Sequence, residues 1–179
     1  MPRYIAFLRA INVGGHTVKM EQLRQLFQSL GFSNVETFIN SGNVLFKETR
    51  QDANALESEI AQTLEKALGY SVATFIRTDA ELARIAGYRP FPEADLEAAA
   101  AFNIAFLAAP PDAASRRKLM ALKTEIDNFH VHDREVYWLC RAKQSDSTFS
   151  NAVLEKTLGA RSTLRGINTV KKIAAKYPS

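Results

Sequence analysis

Apolar positions change their spacing several times along the chain, and each change marks an element. Residues 4–11, Tyr-Ile-Ala-Phe-Leu-Arg-Ala-Ile, form a nearly unbroken apolar run that predicts a buried strand. From Met20 the period becomes helical, with Met20, Leu23, Leu26, Phe27 and Leu30 on one face and Gly31 as the stop. Val35 to Ile39 and Val44 to Phe46 read as two further strands. Between them, Asn40-Ser41-Gly42-Asn43 has the residue types of a tight turn with positive φ at Gly42 or Asn43. Leu56, Ile60, Leu64 and Leu68 recur every fourth residue, predicting a helix that ends at Gly69, and Val72 to Ile76 predicts a fourth strand. Strand, helix, strand, strand, helix, strand is the order of a ferredoxin-like unit.

A connection holding Pro90, Pro92 and the alanine run at 98–101 follows, and then the order starts again. Phe102 to Ala108 predicts a strand, and 112–124 a helix with Asp112 as its N-cap. Phe129 to Val131 and Val136 to Leu139 predict strands joined by a turn at Asp133-Arg134, and 150–158 a helix ending at Gly159. Asn-Ile-Ala-Phe-Leu-Ala-Ala at 103–109 echoes Tyr-Ile-Ala-Phe-Leu-Arg-Ala at 4–10. Echo and element order together predict an internal duplication, an α+β fold of two ferredoxin-like units packed into one body. Residues 1–100 are the first unit with its connection, and 101–179 the second, with a final helix at 168–176 replacing the last strand.

Composition narrows the class without naming an activity. The 179 residues suffice to bury a core, and 46% hydrophobic with 23% charged content is ordinary for a globular chain. No apolar run approaches the roughly 18 residues of a membrane span. The chain begins on a strand pattern with no charged-then-apolar leader, and Cys140 is its single cysteine, so a cytoplasmic protein without disulfides is expected. The net charge of +4 is unevenly spread. Residues 1–100 hold 10 basic and 12 acidic side chains, whereas 101–179 hold 13 and 7, so the second half favours an anionic partner or carries a solvated basic helix.

Three clusters carry candidate chemistry. The first is Phe7-Leu8-Arg9-Ala10-Ile11-Asn12-Val13-Gly14-Gly15 followed by Val18-Lys19-Met20. Gly14 and Gly15 permit close backbone approach, the helix start favours anions, and Lys19 and Arg9 add positive charge. The structural alternative is a tight loop with Arg9 paired to a carboxylate or carbonyl, since the spacing matches neither a P-loop nor a dinucleotide fingerprint. The second cluster, Thr37-Phe38-Ile39-Asn40-Ser41-Gly42-Asn43-Val44-Leu45-Phe46, is a hairpin turn whose Ser41 and Asn43 could face the Arg9 end of the first strand. The third is Ser162-Thr163-Leu164-Arg165-Gly166-Ile167-Asn168-Thr169-Val170, preceded by Arg134-Glu135-Val136-Tyr137. Asn168 or Thr169 could cap the last helix; Arg165 has no such role.

These three clusters resemble the signature of the bacterial domain-of-unknown-function family 1697. Its pattern runs leucine-leucine-arginine-glycine-isoleucine-asparagine-valine-glycine-glycine, then serine-glycine-asparagine, then threonine-x-arginine-asparagine-tryptophan-asparagine-threonine. Gly166 and Ile167 stand where that pattern has asparagine and tryptophan. The resemblance implies a two-part α+β fold and brings no activity with it.

His130 and His132 alternate along a predicted strand and share a face, but no third metal ligand is indicated, so neither metal nor cofactor is expected. Tyr137 and Trp138 point to opposite faces, one expected in the core and the other partly exposed. The resulting expectation is a protein that binds an anionic, phosphate-bearing ligand, such as a nucleotide or a nucleic-acid backbone, through Arg9, Asn12, Gly14, Gly15, Lys19, Ser41, Asn43 and Arg165. Two alternatives stand beside it: an enzyme acting on a small phosphorylated or carboxylated substrate at the same cluster, with Ser41 or Tyr137 in a polar role, and a protein-interaction module.

Overall fold

The computed structural model describes residues 2–9 and 18–177, with the backbone alone at Asn40 and Ser41. The fold is α+β, built from two similar units, each a four-stranded antiparallel sheet with helices. The chain divides into Met1–Ile85 with Lys172–Ser179, and Ala86–Lys171.

The first unit runs β1 (Arg3–Leu8), α1 (Met20–Ser29), β2 (Ser33–Phe38), β3 (Asn40–Lys47), α2 (Ala53–Leu68), β4 (Thr74–Thr78) and α3 (Asp79–Gly87). Its sheet order is β2-β3-β1-β4, the ferredoxin-like arrangement. Strand alternation sends Tyr4, Ala6, Leu8, Val44, Phe46 and Ile76 to one face, where they meet Leu23 and Phe27 of α1 and Leu56, Ile60 and Leu64 of α2. Phe46 is the hub: it stacks on Phe32 at 4.4 Å and on Tyr4 at 5.6 Å, and meets Phe27 at 5.7 Å. The opposite face, with Ile5, Phe7, Leu45 and Phe75, is buried as well. The end of the last helix belongs to this unit, where Tyr177 donates to Glu36 and lies under the Arg3 guanidinium, while Lys176 sits over the Phe38 ring.

The second unit runs α4 (Glu93–Ala98), β5 (Ala101–Phe106), α5 (Ala113–Met120), β6 (Asp127–His132), β7 (Glu135–Cys140), α6 (Asn151–Leu158), β8 (Thr163–Gly166) and α7 (Ile167–Lys176), the last continuing into the first unit. Its sheet order, β6-β7-β5-β8, reproduces the first strand for strand. The duplication reaches individual residues. Ala6 faces Ile76 and Val44 in one sheet, and Ala105 faces Leu164 and Val136 in the other. Trp138, opposite Asn103, holds the place that Phe46, opposite Tyr4, holds in the first unit. Trp138 packs edge-on against Phe149 at 4.9 Å and donates from Nε1 to Asp127 Oδ1 at 2.8 Å. Asp127 Oδ2 accepts from Ser147 Oγ at 2.7 Å and from Thr124 Oγ1 at 3.3 Å, tying the segment after β7 to the core.

Local signals place the ends. Asp112 accepts from Ser115 N at 2.7 Å as the N-cap of α5, Asp52 accepts from Ala55 N ahead of α2, and Ser150 does the same for Val153 N ahead of α6. Gly69 and Gly159 close α2 and α6 with φ of 83° and 65°, where a side chain would be strained.

Four expectations are corrected. The second unit keeps its last strand: β8 pairs antiparallel with β5, and α7 follows it instead of replacing it. Its four residues, Thr-Leu-Arg-Gly, carry too little pattern to read as a strand; pairing with β5 makes them one. Next, the turn between β2 and β3 falls at Ile39, with Phe38 facing Asn40, so Asn40–Asn43 is strand. Ile39 takes φ 72°, a left-handed conformation that costs a β-branched residue about 1–3 kcal/mol. The stretch before residue 100 also holds α3 and α4. A reciprocal capping box opens α3: Thr78 Oγ1 accepts from Glu81 N at 3.1 Å and Glu81 Oε1 from Thr78 N at 3.0 Å. Finally, Tyr137 and Trp138 are both fully buried, because both faces of β7 are covered.

Candidate functional site

In the first unit, backbone pairing brings two of the proposed ligand residues to one end of the sheet. Asn43 lies opposite Phe7, and Arg9 stands one pleat beyond Phe7 on β1's continuation, its N–H donating to Ala73 O at 2.9 Å. Asn43 is completely buried and its amide donates to Phe38 O at 3.2 Å, bracing the Ile39 turn. Arg9 is partly exposed. Ser41 lies on β3 two residues before Asn43, described by its backbone alone. Asn12, Gly14 and Gly15 lie outside the described residues, as does His16.

Lys19 is the N-cap of α1, exposed, with extended backbone (φ −71°, ψ 143°) and no side-chain cap bond. An ammonium there opposes the helix dipole and leaves the first-turn N–H groups uncapped. Lys19→Asp is expected to stabilise the protein by about 1 kcal/mol, by adding a cap and a favourable charge. The same change should reduce any phosphate-induced rise in Tm. A thermal melt with and without phosphate reads both; a variant that melts below the parent contradicts the capping geometry.

Arg165 belongs to the second unit. It sits on β8 opposite Ile104, with Nη1 donating to Thr163 Oγ1 at 2.7 Å and to Leu164 O at 2.8 Å. Burial pushes its pKa down to about 10, so it remains cationic near neutral pH in surroundings that disfavour the charge. The duplication supplies a counterpart that the sequence reading missed. Arg77 on β4 lies opposite Ile5, is fully buried, and likewise donates from Nη1 to the preceding carbonyl, Ile76 O, at 2.9 Å. The signal was present in the echo that aligns Ile5 with Ile104, but it needs the register of both last strands. The glycine at 166 has room: a Cβ there would meet only Asn103 Oδ1, at 3.7 Å.

His130 and His132 do share a face of β6, and Tyr88 covers it. The Tyr88 ring stacks on His132 at 4.5 Å, and its hydroxyl pairs with His130 Nε2 at 2.8 Å. No group of three or more His, Cys, Asp or Glu among the described residues could hold a metal ion. Burial, then the nearby His132 and Arg116, holds the His130 imidazole below its ordinary value. The unfolded chain therefore takes up a proton that the folded state resists. Stability is expected to be level above about pH 7 and to fall as the pH drops through about 6.5, with His130→Gln flattening that fall. Urea midpoints at the two ends of this range check it; a midpoint that rises on acidification of the parent through this range would overturn the assignment.

Cys140 is buried among apolar neighbours, and desolvation raises its pKa, the environment of an unreactive thiol. No helix among the described residues is long and apolar enough to cross a membrane. The second unit also contains an open cavity of about 370 Å³ between the start of α4, the entry to β5 and the start of α7.

A family model described as a protein of unknown function, DUF1697, matches residues 1–137. A conserved bacterial protein from Streptococcus pneumoniae has a similar structure, with a TM-score of 0.70 at 23% sequence identity, covering 97% of this chain and 97% of that one. At that identity the likeness concerns the fold. No curated protein matches the chain.

Proposed function

The chain belongs to the DUF1697 family, and we propose that it binds an anionic, phosphate-bearing ligand, such as a nucleotide or a nucleic-acid backbone. The observation that supports this most is Arg165. Its guanidinium is held on a strand, and burial disfavours its charge enough to push the pKa down to about 10. Two of its hydrogen bonds run to neutral oxygens, Thr163 Oγ1 and Leu164 O. A desolvated cation of this kind gains more from an incoming phosphate than a solvated one does. In the first unit Arg9 and Lys19 add cations, with Asn12, Gly14, Gly15, Ser41 and Asn43 as the remaining candidates.

The test is a titration with a mixed oligonucleotide at two salt concentrations, repeated with inorganic phosphate. Binding is expected at low salt and should weaken as salt rises, because phosphate contacts release counterions. Arg165→Met should lower affinity roughly ten- to a hundredfold, the worth of a charge-assisted contact of about 1.5–3 kcal/mol, while the protein still folds. Affinity absent at low salt for both probes, or indifferent to salt, rules this reading out.

A further inference from the structure

The cavity of the second unit is separate in sequence from most of the residues just discussed. Its wall combines Arg89, Glu93 at the start of α4, the small side chains Ala99–Ala101, and Asn168 and Lys171 of α7. Arg89, Glu93, Asn168 and Lys171 are exposed, and among the described residues none of the four side chains forms a hydrogen bond or an ion pair with another protein group. Elsewhere on the same unit, exposed charges do find partners: Arg141 pairs with Asp95 at 3.0 Å. Four polar side chains thus line one concavity without being bonded to other groups of the protein.

Their chemistry is directional. Asn168 and Lys171 lie three residues apart on α7 and so share a helix face, within or one turn after the first turn. That first turn carries no acidic residue, so the positive helix end, the Lys171 ammonium and the Asn168 amide all favour an anion. Arg89 brings a second cation with a fork of donors suited to phosphate. Counting Glu93, the wall keeps a net positive charge that favours an anion, and the Arg89 fork of donors suits a phosphate. Glu93 is out of place in a site for an anion alone, but it can accept hydrogen bonds from hydroxyl groups carried by the same ligand. The alanine wall leaves space, and the volume lies at the lower end of the range for small-molecule pockets.

The geometry points to this cavity as a binding site for a small phosphorylated polyol or sugar. The phosphate lies against Arg89, Lys171 and the start of α7, and a hydroxyl lies toward Glu93. The site goes beyond the anion contacts of Arg9, Lys19 and Arg165, and does not depend on them.

The experiment is an amide-resolved NMR titration of the full chain with three separate probes: ribose 5-phosphate, ribose and inorganic phosphate. Ribose 5-phosphate should give saturable shifts converging on Asn168 and Ala99–Ala101, with inorganic phosphate weaker and ribose weakest. Arg89→Ala and Lys171→Ala, both changes of exposed side chains, should each weaken ribose 5-phosphate roughly tenfold or more. Glu93→Ala should tighten inorganic phosphate while erasing the preference for the sugar phosphate over it. Arg165→Met should leave these shifts in place, which separates this site from the preceding reading. The assignment is overturned by shifts that do not saturate with any probe, by shifts scattered away from the cavity, or by Arg89→Ala and Lys171→Ala variants that bind as the parent does. It is likewise overturned if Glu93→Ala leaves the preference for the sugar phosphate unchanged.

Discussion

Alanine at Phe46 is expected to remove about 3–5 kcal/mol of stability, the usual cost of truncating a buried ring. Phe46 is fully buried and touches three other rings, Phe32, Tyr4 and Phe27. Deleting it costs the transfer free energy of the side chain and leaves a cavity bounded by β-sheet backbone on one side and two helices on the other, which collapse only partly. Phe46→Leu retains most of the volume and should cost less than half as much. Urea unfolding followed by far-ultraviolet circular dichroism measures both. A loss below about 1 kcal/mol for the alanine variant would mean that the ring cluster is not closely packed.

Asp127→Ala is expected to cost about 3 kcal/mol, through unsatisfied donors instead of lost volume. Asp127 is 2% exposed and accepts from Trp138 Nε1, Ser147 Oγ and Thr124 Oγ1. Removing the carboxylate strands the indole N–H of a fully buried tryptophan, and no water can replace it without opening the core. Asp127→Asn keeps an acceptor for the indole, and its amide can donate to either hydroxyl, so its cost should stay nearer to 1 kcal/mol. Trp138 is the single tryptophan, and it lies in this unit, so its emission reports the change directly. Equal midpoints for the alanine and asparagine variants would sink the account of the network.

The two positions make a comparison. Phe46 and Trp138 occupy the same register in the duplicated sheets, yet one is stabilised by ring packing and the other also by a buried hydrogen bond. The duplicated backbone has thus accepted different chemistry at equivalent points. Arg77 and Arg165 instead keep one bonding pattern, each opposite an isoleucine and each donating to the preceding carbonyl, but only Arg77 is fully buried.

Sequence alone determined the features that depend on near neighbours. Leu56, Ile60 and Leu64 had to share a face, Gly69 had to end that helix, and Asp112 had to begin another, because spacing, glycine's left-handed freedom and a capping oxygen act within a turn. The echo between residues 4–10 and 103–109 carried the duplication and, with element order, the ferredoxin-like plan of the first sheet and three of the four strands of the second. Thr78-x-x-Glu81 was equally local and could have announced α3. Tertiary structure decided the rest. Four residues became β8 because β5 offered an edge to pair with, Ile39 took a strained φ because the β2–β3 register required it, and Tyr137 was buried because a second face was covered, which alternation cannot foretell. Arg89, Glu93, Asn168 and Lys171 are scattered over two helices and a connection, with no motif to join them, and they surround one cavity only because the chain folds back. Near-neighbour chemistry is written in the order of residues, whereas convergence from distant positions arises from packing and pairing that no local pattern encodes.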